Sequence, residues 1–221
     1  LHVLDGRQYR DHQVCPRFGR GGSNVVDDPR CPSRLEPNRS LLGREQESWL
    51  HAGLSSSGAR WNIVAQQLLM AQMDRKPGPE RQFWSDGWDG YPAARARLLQ
   101  AIAERKPANP LVIGGDVHFN CVADLKVDFD DPKSPVAAAE FCGTSITSQG
   151  PAQSRLDALR ADNPHVRFAN GEKRGYVVMD LSEKRCQTQL RVIDSEKDAA
   201  AAVTTLATFV VEDGRAGANE V

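Results

Sequence analysis

A chain of 221 residues, 40% hydrophobic and 26% charged, has apolar material for one domain of ordinary size or most of one. Its 28 Lys and Arg against 29 Asp and Glu leave a net charge of −1, which gives no electrostatic footing for nucleic acid or an acidic membrane. No apolar run approaches the roughly 18 residues of a membrane span.

The chain opens at Leu1 with an apolar stretch, His2-Val3-Leu4, that reads as a strand and has no starting methionine. Residues 11–40 are predicted to form a long loop, because Pro16, the Gly19-Arg20-Gly21-Gly22 run, Pro29, Pro32 and Pro37 break every periodic pattern. Such loops inside a domain are uncommon and often functional. The glycines lack the Lys-Ser/Thr of a P-loop and no strand closely precedes them, which argues against a phosphate cradle of that kind. Five cysteines are an odd count, so at least one is free or pairs elsewhere. Cys15 and Cys31 flank the Gly/Pro/Asp-rich stretch 17–30 and are the best-placed pair for a disulfide; two loop thiols that never meet are the alternative. Cys142 reads as core rather than ligand.

Residues 43–54 read as a helix with Trp49, Leu50 and Leu54 on one face, and residues 61–65 as a strand. Pro92 opens a second helix at a position that tolerates proline, with Leu98, Leu99 and Ile102 as its buried stripe. That helix feeds a strand at 111–113, the helix-then-strand order of an α/β layered fold. Residues 136–141, 176–180 and 189–193 follow as strands, and 156–159 as a short helix. Beyond Asp194, residues 199–202 are readable as helix and 208–211 as a last strand. No internal repeat is present.

The 111–113 strand runs into Gly114-Gly115-Asp116-Val117-His118, the most informative stretch of the chain. Residues two apart on extended backbone point the same way, so Asp116 and His118 are expected to face one site at the strand's carboxyl end. The glycines permit steep backbone angles and close approach of a ligand. A carboxylate beside an imidazole suits a metal ion; the plainer alternative is a capped strand end with a surface histidine. Asn120, two residues on, faces the same way under this reading, to bond phosphate or to satisfy a turn. Arg7 offers a fork suited to phosphate, or a partner for Asp5. The turn-rich residues 86–91 are expected to wall the substrate site, with Asp86 or Asp89 near a metal; Asp89 serves equally as a helix-start carboxylate. Ser145 has no nucleophile elbow around it and is set aside. His2, His12, His51 and His165 read as loop or helix-surface histidines without ligand spacing.

Seven segments in one order carry a wider resemblance. They are Leu4-Asp5-Gly6-Arg7-Gln8-Tyr9-Arg10, Leu42-Gly43-Arg44-Glu45-Gln46-Glu47-Ser48-Trp49-Leu50, Trp61-Asn62-Ile63-Val64-Ala65-Gln66-Gln67, Asp86-Gly87-Trp88-Asp89-Gly90-Tyr91-Pro92, the Gly-Gly-Asp-Val-His motif, Glu140-Phe141-Cys142-Gly143-Thr144-Ser145-Ile146, and Arg174-Gly175-Tyr176-Val177. Together they resemble the PhoD-like alkaline phosphatases, a branch of the calcineurin-like metallophosphoesterases. The resemblance implies the C-terminal part of a four-layer α/β/β/α sandwich over residues 1–195, with 196–221 as a tail. It implies hydrolysis of small phosphate mono- or diesters at a dinuclear metal centre, in a periplasmic or extracellular setting.

Relatives in the wider superfamily usually carry Gly-His-x-His at this strand end, and here Asp116 stands in place of the first histidine. The resemblance assigns Asp116 to a hard ion, Ca²⁺, and His118 to Fe³⁺, with Zn²⁺ or Mn²⁺ as the alternative. Arg7, Asp89 and Asn120 are then the candidate substrate contacts. Further ligands are expected upstream of Leu1, so the chain alone is expected to be inactive. A reading from another class is a non-catalytic remnant that binds phosphate or a partner weakly.

Overall fold

Short apolar stretches, most of them too brief to be helices, build two large sheets and a two-stranded one in the computed structural model, which describes residues 1–19 and 21–221. Arg20, inside the glycine run, lies outside the described residues. The strands are β1 (His2–Val3), β2 (Val25–Val26), β3 (Asn62–Ala65), β4 (Phe83–Trp84), β5 (Pro110–Gly114), β6 (Asn120–Lys126), β7 (Val136–Cys142), β8 (Val166–Asn170), β9 (Arg174–Leu181), β10 (Arg185–Ile193), β11 (Thr204–Glu212) and β12 (Asn219–Glu220). A six-stranded sheet has the order β1-β3-β5-β7-β6-β8, parallel from β1 through β7 and antiparallel on both sides of β6. An antiparallel sheet, β12-β11-β10-β9, packs on it, and β2 pairs with β4.

Side-chain alternation fixes the layers. Val64, Val112 and Ala123 face three helices, α1 (Arg44–Ser55), α2 (Pro92–Arg105) and α3 (Gln153–Arg160), and meet Leu50, Leu54, Leu98, Leu99, Ile102 and Leu156. Leu111, Val122, Ala139 and Phe141 point the other way, onto Leu190, Phe209 and Val211 of the second sheet. Each such large side chain contributes about 1.5–3 kcal/mol by leaving water. The result is helix, sheet and sheet: three layers of an α/β sandwich. No helix of the described residues is long and apolar enough to cross a membrane.

Several expectations are corrected. Trp49 does not join the buried face of α1; it is 53% exposed and meets the His2 ring edge-on at 5.7 Å. β6 and β8 have no counterpart among the predicted elements, since Asn120, Asp124 and Arg167 interrupt their apolar pattern. Residues 199–202 do not form a helix: Asp198 caps a turn by accepting the Ala200 N–H at 2.9 Å, and its carbonyl accepts from Ala201. His165 is buried rather than superficial, with Nε2 2.7 Å from the Gln72 carbonyl and its ring against Phe129.

The long loop, residues 11–40, is closed by a Cys15–Cys31 disulfide. It is pressed onto residues 86–91: Arg34, paired with Asp28, donates 2.6 Å to the Asp89 carbonyl, and the Tyr91 hydroxyl donates to the Asp11 carbonyl at 2.5 Å. Cys121, Cys142 and Cys186 are buried free thiols.

Candidate metal and phosphate site

β5 ends where its glycine meets another chain segment. A Cβ on Gly114 would stand 2.0 Å from the Leu68 carbonyl, so no larger residue fits. The chain then leaves the extended conformation altogether. Asp116 has φ 71° and His118 φ 61°, both left-handed, with the buried Phe119 anchoring the exit. The two-residue alternation expected for a strand therefore does not apply, and each side chain has its own neighbours. Left-handed angles at non-glycine residues cost on the order of 1 kcal/mol or more each and gather at functional sites.

Asp116 is 45% exposed and lies 3.4 Å from Arg7 Nη2. Arg7 also donates to Asp86 at 2.7 Å, while Arg10 and Gln13 hold the other Asp86 oxygen. Asp5 is not the partner of the Arg7 guanidinium; it accepts the backbone N–H groups of Arg7 and Gln8. Burial alone would push the Asp86 carboxyl up, but the hydrogen bonds from Arg7 and Gln13 and the charges of Arg10 and Arg7 outweigh it and hold it low. Burial likewise opposes the Arg7 charge, and Asp86 with Asp116 more than restores it.

Gly87, Trp88 and Asp89 share with Asp116, Val117 and Phe119 a small cavity of about 50 Å³, so residues 86–91 do border the Asp116 turn. Asp89 is nonetheless committed. It is 7% exposed, one oxygen accepts from Arg95 at 2.6 Å and the other from the Met73 N–H at 3.0 Å. Asn120 is 1% exposed and its Oδ1 accepts from Thr144 N at 3.3 Å. Both are sealed by tertiary packing that spacing could not reveal, and neither is open to a substrate in this structure. Gln66 and Glu140 brace the segment 68–71, whose Leu68 and Leu69 line the cavity. Gln66 accepts from Leu68 N at 2.9 Å and from the Trp88 indole at 3.1 Å, and Glu140 accepts from Met70 N at 2.6 Å and Ala71 N at 2.7 Å.

His118 is held from the other side. Its Nδ1 lies 3.3 Å from the Gln149 carbonyl, and a carbonyl only accepts, so in the neutral imidazole this contact selects the tautomer with the proton on Nδ1 and the lone pair on Nε2. The bond is long, and the loops around it are fastened by Arg174. That guanidinium is buried and donates to the carbonyls of His118 at 3.2 Å, Ser148 and Gly171, and to Ser145 Oγ at 3.0 Å. Gly150 fits the same junction, where a Cβ would stand 2.3 Å from the His118 carbonyl. Ser145 is thus a structural acceptor. Arg174 lies in a motif quoted above, but no role for it follows from spacing alone.

An imidazole that in its neutral form offers Nε2, and a half-exposed carboxylate, fit metal ions in donor chemistry. Among the described residues, however, no group of three or more His, Cys, Asp or Glu side chains is gathered to hold one. The fit is that of part of a donor set.

The layers and the polar turn at the end of β5 define an α/β sandwich protein with a strand-end site. Residues 1–190 match the family model of the PhoD-like phosphatases, and the chain belongs to that family. It is 37% identical over 224 residues to alkaline phosphatase D of Bacillus subtilis (strain 168), covering 100% of this chain and 37% of that protein. It also matches a solved structure described as that of PhoD, with TM-score 0.87 and 37% identity, over 99% of this chain and 41% of the other. The chain thus spans well under half the length of the relatives it matches.

Proposed function

We propose that the chain contributes Asp116 and His118 to the metal centre of a phosphoesterase that hydrolyses small phosphate mono- or diesters. The observation that carries this is the turn itself: two ligand-type side chains, both in left-handed backbone, stand exposed beyond a glycine that admits no substitute. Family membership supports the reaction class.

Asp116 would hold Ca²⁺ and His118, through Nε2, Fe³⁺, with Zn²⁺ or Mn²⁺ as the alternative pair. Bound ions would polarise the phosphoryl oxygens and activate water. The chain's own residues prepare the site: the Gln149 carbonyl selects the His118 tautomer, Arg174 secures both loops, and Arg7 tethers the Asp116 turn to Asp86. With two of the needed donors, the 221-residue chain alone is expected to turn over little substrate. The Cys15–Cys31 bridge favours an oxidising compartment, periplasmic or extracellular.

The test is metal analysis and hydrolysis of a chromogenic phosphate ester by the polypeptide that carries this chain. His118→Ala should remove one metal equivalent and the activity, and Asp116→Ala should chiefly weaken the Ca²⁺ site. Full occupancy in both variants would refute the assignment.

A further inference from the structure

Four other arginines have anionic partners. Arg7 and Arg10 share Asp86, Arg81 holds Asp130, and Arg95 holds Asp89. Arg75 differs. It lines the same cavity as Asp116, yet among the described residues its guanidinium has no hydrogen bond or ion pair, and its Nε is sealed from water without a partner. The group lies over the Trp84 ring at 5.6 Å from its centroid. Desolvation lowers its pKa, and the nearby charge of Arg155 adds to the effect.

The backbone beneath it is fixed. Arg75 N donates to the Gln82 carbonyl at 2.8 Å, and the buried Asp74 accepts from Lys76 N and Gln82 N at 3.1 and 3.0 Å. Asp74 N in turn donates to Asn163 Oδ1 at 2.8 Å. This guanidinium is therefore positioned without the ion pair that ordinarily compensates a partly buried charge. An anion with two oxygens can pair with the uncompensated charge by parallel N–H···O bonds from the Nη atoms, the sealed Nε staying as it is, and stacking on an indole is compatible with that use.

We propose that Arg75, rather than the doubly paired Arg7, binds the phosphoryl group of the substrate beside Asp116. This rests on the phosphoesterase reading and names its anion anchor. Phosphate enters with Arg75 as its donor, while Asp116 stays free for a cation.

The test follows the Arg75 guanidinium resonances by NMR in the 221-residue chain, titrated with inorganic phosphate and, separately, with sodium chloride at matched ionic strength. Phosphate should shift them saturably and chloride should not. Arg75→Lys, which keeps the charge and the stem over Trp84, should weaken phosphate binding roughly tenfold, and Arg75→Met more, on the scale of one or two charge-assisted hydrogen bonds. Thermal melts identify variants that fail to fold, and Arg75→Lys then carries the comparison. Equal shifts with both salts, or unchanged phosphate binding in a folded Arg75 variant, would overturn the proposal. In the polypeptide that carries this chain, Arg75→Lys should raise KM more than it lowers kcat. An unchanged KM would sink the role of Arg75 alone, whereas no hydrolysis of phosphate esters by the metal-loaded wild-type polypeptide would sink the phosphoesterase reading.

Discussion

Asp89 and Asp116 border one cavity and differ in almost everything else. Asp89 sits in a 3₁₀ turn, buried, with each oxygen engaged by Arg95 or the Met73 N–H. Asp116 sits in left-handed backbone, half-exposed, and among the described residues its side chain contacts Arg7 alone, at 3.4 Å. A carboxylate whose acceptors are satisfied by the protein holds the wall; one left under-coordinated on a strained turn remains open to a ligand. The lesson extends to the arginines, where Arg95 is structural and Arg75 is not.

Removing each carboxylate separates the two roles most directly. Asp89→Ala strands the buried Arg95 charge and should destabilise the chain by about 3–5 kcal/mol. Asp116→Ala removes one loose, exposed contact and should cost less than about 1 kcal/mol. Denaturant unfolding of both variants checks the pair, and equal losses would erase the distinction.

Glu140 sharpens it through pH. Burial pushes its carboxyl up to about 7, against the opposing pull of the Met70 and Ala71 N–H groups. The folded state then binds this proton more tightly than the unfolded state. The stabilisation is full below the ordinary 4.5 and is lost as pH rises through about 7. Between those limits the wild type should lose about 3 kcal/mol relative to Glu140→Gln, which does not titrate. Parallel stability curves for the two proteins would show that Glu140 is ionised throughout.

A further test concerns the loop that brings Arg34 to the Asp89 carbonyl. Replacing Cys15 and Cys31 by serine should cost roughly 2–3 kcal/mol, the chain-entropy value for a loop of this length. Asp116 should be unaffected, since its contact runs through Arg7 rather than through the bridged loop. Urea melts, with the Arg7 resonances as a local probe, would detect any coupling between the two.

The local signals in the chain determined much of this. Proline at the start of α2, the Leu98, Leu99 and Ile102 stripe and the apolar run into Gly114 are short-range patterns, and they placed helices, strands and the Asp116–His118 turn correctly along the chain. The spacing of Cys15 and Cys31 around a glycine- and proline-rich stretch likewise pointed to their pairing. Tertiary structure decided what each polar group does. Whether Asp89, Asn120 or Arg7 is free depends on Arg95, Thr144 and Asp86, each at least 6 residues away in the chain. The left-handed angles at Asp116 and His118 follow a glycine packed against the Leu68 carbonyl, and an alternation rule does not carry them. Sequence carries chemical type and local periodicity; partner, burial and orientation are set by contacts between distant segments, and those contacts separate a carboxylate used in the wall from one left open.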